Sequence, residues 1–156
     1  FERVKVSESD SEPDGPVDYC VWDRNHFYLV GDSSPKQAFL DCPAVPVHGN
    51  VTAISREAPE LRWTYPFEGF LLTNSIDRCP VLPLIRVEES QVAGYSVQKV
   101  HLSLVDKQSG QVAYELKTQS FGFGVSNCEY DPIEQRLEVL LQREKLRISK
   151  RIGVSP

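Results

Sequence analysis

From Val97 to Val105 apolar and polar residues alternate, and after Asp106-Lys107-Gln108-Ser109-Gly110 they alternate again from Gln111 to Lys117. A period of two puts Val100, Leu102 and Leu104 on one face of an extended strand, and Val112, Tyr114 and Leu116 on one face of the next. The segment between them is a turn with glycine at its end, so the two runs predict an antiparallel hairpin with one apolar face. That face has to be covered by another layer, which restricts the chain to layered or closed β architectures.

Similar signals occur along most of the chain. Tyr19-Cys20-Val21-Trp22 and His26-Phe27-Tyr28-Leu29-Val30 flank the turn cluster Asp23-Arg24-Asn25 and predict a second hairpin. Residues 35–60 read as irregular, punctuated by Pro43, Pro46, Gly49 and Pro59, with a short strand at Val51–Ile54. Leu61–Tyr65 alternates and should end at Pro66 or lie on a sheet edge, because proline cannot donate to a ladder. Pro80–Val87 is apolar, and its two prolines confine it to an edge or an extended arm. Phe121–Val125 alternates once more.

The C-terminal stretch has two readings. Asp131-Pro132-Ile133-Glu134 has the chemistry of a helix start, and Ile133, Leu137, Leu140, Leu141 and Ile148 would share a helical face. Leu137, Val139 and Leu141, and then Leu146 and Ile148, equally suit a β-hairpin turning at Arg143-Glu144-Lys145. The expected fold class is therefore mainly β, an antiparallel sandwich or barrel with a C-terminal helix as an option. The alternative is an α+β fold, a helix packed on an antiparallel sheet. Residues 1–18 are acidic, and Ser7–Pro16 holds no apolar residue, so 1–18 are expected to form a disordered tail. Residues 19–156 are expected to form a single β-rich domain.

Cys20, Cys42, Cys79 and Cys128 are widely spaced, and no two form a C-x-x-C pair. Even number and wide spacing point to two disulfides made in an oxidising compartment, and Cys20–Cys42 and Cys79–Cys128 are the expected pairs. The expected location is periplasmic or extracellular. The chain begins at Phe1 and contains no methionine, which reads as a processed product whose removed piece held an export signal. The formal net charge of −5 disfavours nucleic-acid binding, which needs clustered cations. No run of eighteen apolar residues is available to span a membrane as a helix.

Candidate chemistry is sparse. Gly31-Asp32-Ser33, following the apolar run Phe27–Val30, resembles the first block of the GDS-type (SGNH) esterases, which implies Ser33 as nucleophile in an α/β fold. Those enzymes also carry a late Asp-x-x-His that supplies the base, and no such motif occurs in this chain. His26, His48 and His101 are scattered, with none of the short spacings of zinc sites, and no cofactor signature is present. Asn50-Val51-Thr52 is a glycosylation sequon. The feature most like a binding site is aromatic. Trp63, Tyr65 and Phe67 project to one side of an edge-like strand, Phe70 is close by, and Arg62 and Glu68 flank the row as a polar rim. The expectation is a non-enzymatic, exported module that binds another protein, such as a periplasmic inhibitor or immunity-type protein that blocks a basic toxin or hydrolase. A small serine hydrolase and a subunit of an envelope or surface assembly are the alternatives.

Overall fold

A computed structural model describes residues 19–31, 42–74, 76–92, 95–120, 125–141 and 144–149. Among them the chain is entirely strand and turn, with no helix. Seven strands form an antiparallel meander in sequence order: β1 (Tyr19–Trp22), β2 (His26–Val30), β3 (Ala44–Ser55), β4 (Leu61–Leu72), β5 (Val81–Val92), β6 (Tyr95–Asp106) and β7 (Val112–Ser120). A second sheet contains β8 (Val125–Asp131), β9 (Arg136–Leu141) and β10 (Glu144–Ser149), with β9 in the middle. The expected class, mainly β and antiparallel, is the one observed.

Both faces of the large sheet carry a core. On one face Tyr28, Val30, Val51, Ala53, Trp63, Leu71, Leu82, Leu84 and Val105 pack together. On the other, Leu72, Val81, Ile85, Val100, Leu102 and Leu104 pack with Val125, Cys128, Leu137 and Val139 of the small sheet. The five residues Val81–Ile85 are consequently all buried. Their unbroken apolar run reflects covering on both sides, as strands sandwiched between layers require. Each fully buried aliphatic side chain contributes roughly 1.5–3 kcal/mol to the hydrophobic driving force.

Three expectations are corrected. Residues 44–55 are a single twelve-residue strand rather than an irregular segment with a short strand inside it. Its register runs from Ala44↔Leu72 through Pro46↔Phe70 to Ile54↔Leu61, so ladder pairing overrides the proline and glycine signals. β4 continues through Pro66 to Leu72 instead of stopping. β5 is internal rather than an edge arm, but its pairing with β4 is confined to Phe70↔Ile85 and Leu71↔Leu84. Pro83 lies just outside that junction, where no ladder bond to β4 is lost.

The C-terminal stretch is strand, not helix, so the α+β alternative does not hold. Asp131 does use helix-start chemistry: its Oδ1 accepts the backbone N–H groups of Ile133 (2.9 Å) and Glu134 (3.1 Å). Gln135 then adopts φ +49°, which ends any helical path and turns the chain back into β9. Leu137 and Val139 gain burial in the inter-sheet core through the two-residue period. The acidic tail predicted for 1–18 lies outside the described residues, as do Asp32, Ser33 and Phe121–Gly124.

The ends of the meander are tied together. Lys107, in the β6–β7 turn, donates from Nζ to Asp23 Oδ2 (2.7 Å) in the β1–β2 turn, and also to the Ile76 carbonyl. Trp63 Nε1 of β4 donates to the Lys107 carbonyl at 2.9 Å. The sheet thus rolls around the first core, and the hydrogen bonds close one end of the roll.

Candidate functional site

The short β4–β5 junction borders a concavity. Gly69 at φ +149° allows the close approach: a Cβ there would collide with the Ile85 carbonyl oxygen and the Phe67 ring. From this point the two strands diverge. Among the described residues, Leu61–Gly69 of β4 has a ladder partner on its β3 side only. A groove of about 410 Å³ opens along this stretch. Tyr65, Pro66, Phe67 and Glu68 line one wall; Arg86, His101, Ser103, Glu115 and Lys117 line the other.

The groove continues the concave face beyond the point where the first core fills it. Tyr65 and Phe67 are half-buried against that core and stack on each other, with ring centroids 6.3 Å apart and planes 25° apart. The opposite wall is polar and mixed in charge. Arg86 Nε lies 3.2 Å from Glu88 Oε1, and His101 Nε2 lies 3.8 Å from Glu88 Oε2. At the outer rim His48 Nδ1 is 3.7 Å from Glu68 Oε1, both side chains exposed.

The structure divides the aromatic row read from the sequence. Trp63, Tyr65 and Phe67 do share a face, but Trp63 is only 8% exposed and belongs to the core. Phe70 points to the opposite face and packs on the inter-sheet core. Glu68 lines the groove. Arg62 is exposed at a β-bulge opposite Ala53/Ile54 and does not line it. Sequence reasoning missed the second wall: Arg86, His101, Glu115 and Lys117 lie on three different strands and meet only through the register of β5, β6 and β7.

A second polar cluster is buried. Asp23 Oδ2 accepts from Lys107 Nζ and from the Tyr28 hydroxyl (2.8 Å), while Oδ1 accepts from the Asn25 and His26 backbone N–H groups, each 2.8 Å. His26 Nδ1 is 3.4 Å from the Tyr28 hydroxyl and 3.7 Å from Asp23 Oδ1. Burial would raise the Asp23 carboxyl, but the Lys107, Asn25 and Tyr28 hydrogen bonds outweigh it and hold the group at about 2. The Tyr28 hydroxyl is pushed up by burial and then by the Asp23 charge. Asp, His, Tyr and Lys in contact resemble a proton-transfer set. Yet Tyr28 is fully buried, and no member lines the groove or the apolar cleft that Cys79 and Leu104 form with Tyr130, Leu137 and Ile148 of the small sheet. Their chemistry is that of a latch between two turns.

No disulfide joins the four cysteines in this structure. The register also separates the expected Cys20–Cys42 pair. Cys20 stands opposite Leu29, which stands opposite Thr52. Cys42 lies beyond Ala44, and β3 extends roughly 26 Å between Ala44 and Thr52 at ~3.3 Å per residue. A disulfide needs Cα atoms within about 7 Å. Asn50 of the sequon lies within β3, opposite Pro66. Among the described residues no three His, Cys, Asp or Glu side chains converge as metal ligands, and no helix is long and apolar enough to cross a membrane. The chain matches no known protein family, no curated protein and no solved structure.

Proposed function

We propose that this is a non-enzymatic protein-binding module that receives an extended segment of another protein along β4. The observation that carries the reading is that, among the described residues, Leu61–Gly69 pairs on one side only, beside a groove with a half-buried, stacked Tyr65–Phe67 pair. A strand with unpaired amides and carbonyls offers main-chain hydrogen bonds to an added strand, and alternate side-chain contacts supply selectivity. Tyrosine and phenylalanine give large apolar contact at low entropic cost, as interface anchors do. The opposing wall offers Arg86 and Lys117 as cations and Glu115 as an anion, which favours a polypeptide carrying both signs over a uniformly charged polymer.

An exported inhibitor or immunity-type protein acting on a basic toxin or hydrolase is the concrete version we favour. The formal charge of −5 would speed encounter with a cationic target. The test compares wild type with the Tyr65→Ala/Phe67→Ala variant as baits in native extract, followed by amide hydrogen exchange on the purified complex. The expected result is a stoichiometric partner captured by wild type and lost by the variant, with new amide protection inside Leu61–Gly69. A partner held equally by both baits, or protection elsewhere on the surface, refutes the reading.

A further inference from the structure

Three of the four thiols meet between the two sheets. Cys42, Cys79 and Cys128 are buried in the same apolar cluster, whereas Cys20 belongs to neither core and is half-buried on β1. One short segment brings them together. Thr73 donates from its backbone N–H (3.0 Å) and its hydroxyl (3.3 Å) to the carbonyl of Pro43, the residue after Cys42. The next residue, Asn74, donates from Nδ2 to Asn127 Oδ1 at 3.3 Å, and the same oxygen accepts the Cys128 N–H at 2.9 Å. Cys79 follows, two residues before β5 begins at Val81. Burial pushes the Cys128 thiol up to about 12, and the neighbouring Cys79 and Cys42 sulfurs add to it, in that order. The three side chains share one buried cluster between the sheets, and it is this placement that makes them candidates for a covalent bond.

Cys79 also lines an apolar cleft of about 210 Å³ with Tyr130, Leu137 and Ile148 of the small sheet, so it stands where the two sheets face each other. Register pairing holds the small sheet together, whereas among the described residues no ladder joins it to the large one, which it meets through side-chain packing and the Asn74–Asn127 hydrogen bond. A covalent link at this point would join elements that share no ladder.

We infer that Cys79 and Cys128 form one disulfide fastening the small sheet to β5, with Cys42 as a third thiol able to take the place of Cys79. The oxidant is a low-molecular-weight disulfide such as oxidised glutathione. One cysteine thiolate attacks it and releases one glutathione. The second cysteine displaces the other glutathione from the mixed disulfide, so two cysteine thiols become one S–S bond and two glutathione thiols carry away the protons and electrons. Thiols raised by burial are poor nucleophiles, so the bond forms during folding, before the core closes.

The test refolds the full chain from its reduced, unfolded state in a glutathione redox buffer, alkylates the remaining thiols and maps the peptides. The expected product links Cys79 to Cys128, leaves Cys20 and Cys42 alkylated, and melts about 10 °C above the reduced form. Cys42→Ser should leave the bond in place, and Cys79→Ser should move it to Cys42–Cys128. Four thiols retained by the wild type, any bond to Cys20, or a wild-type bond at Cys42 overturns the inference.

Discussion

Replacing Lys107 by methionine should cost about 3–5 kcal/mol at neutral pH, because it strands a buried carboxylate. Asp23 and Lys107 are both nearly inaccessible, with side chains 6% and 8% exposed and Nζ 2.7 Å from Oδ2. Removing one partner of such a pair is strongly destabilising, since the surviving charge keeps its desolvation cost without its attraction. The Asp23 carboxyl supplies a separate check. Its folded pKa of about 2 lies below its ordinary value of 3.8. Between those values unfolded Asp23 binds more protons than folded Asp23, so its contribution is complete above about pH 4 and is lost as pH falls through about 2. That contribution is on the order of 2 kcal/mol. In Lys107→Met burial becomes the dominant influence on Asp23, its pKa moves up, and acid unfolding begins at higher pH. Urea unfolding at several pH values measures both effects, and Asp23→Leu/Lys107→Met completes a double-mutant cycle. The double variant should be more stable than the sum of the single losses allows by at least about 1.5 kcal/mol. A Lys107→Met cost below about 1 kcal/mol, or additive losses, would show that the two turns are not latched as described.

Further consequences are open to measurement. Gly110 sits at φ +70°, and an added Cβ would come within 2.5 Å of Trp63 Cγ, so Gly110→Val should cost about 3 kcal/mol in urea unfolding. Trp63→Phe leaves the Lys107 carbonyl without its indole donor and should cost about 1–3 kcal/mol on the same assay. Gly69→Ala drives a methyl into the Ile85 carbonyl, so it should loosen the β4–β5 junction and raise exchange at the Phe70 and Leu71 amides before it unfolds the domain. Tyr65→Ala/Phe67→Ala should weaken partner binding at least 100-fold, about 2.7 kcal/mol, while the domain stays folded, because both rings are only half-buried.

Local pattern carried much of the fold. Both hairpins with clear alternation are present, Tyr19–Trp22 with His26–Val30 and the strands around Asp106–Gly110, because their turn chemistry and period agree. Asp106 Oδ1 holds the backbone N–H groups of Gln108 and Ser109, as the turn residues suggested. Signals failed where a long-range partner overrode a local breaker. Pro46, Gly49 and Pro66 lie inside β3 and β4 because those strands pair over almost their whole length, which compensates for isolated lost donors. Asp131-Pro132 was ambiguous because the same carboxylate contacts begin a helix or close a turn, and only the Gln135 backbone decides. Asp23 and Lys107 were each legible as turn residues. Their union was not, since the two turns meet only when the whole meander rolls up. The Tyr65–Phe67 wall of the groove was visible in alternation, while the Arg86–Lys117 wall depends on register across three strands.

Amide hydrogen exchange on β4 in the isolated protein tests the central claim most directly, since everything proposed for binding rests on the one-sided ladder from Leu61 to Gly69. The account predicts a strand of two characters: alternate amides between Leu61 and Glu68 exchange within minutes, while Phe70, Leu71 and Leu72 stay protected far longer. Uniform slow exchange along the whole of β4 would mean that β5 pairs with it throughout, leaving no open edge for a partner to join.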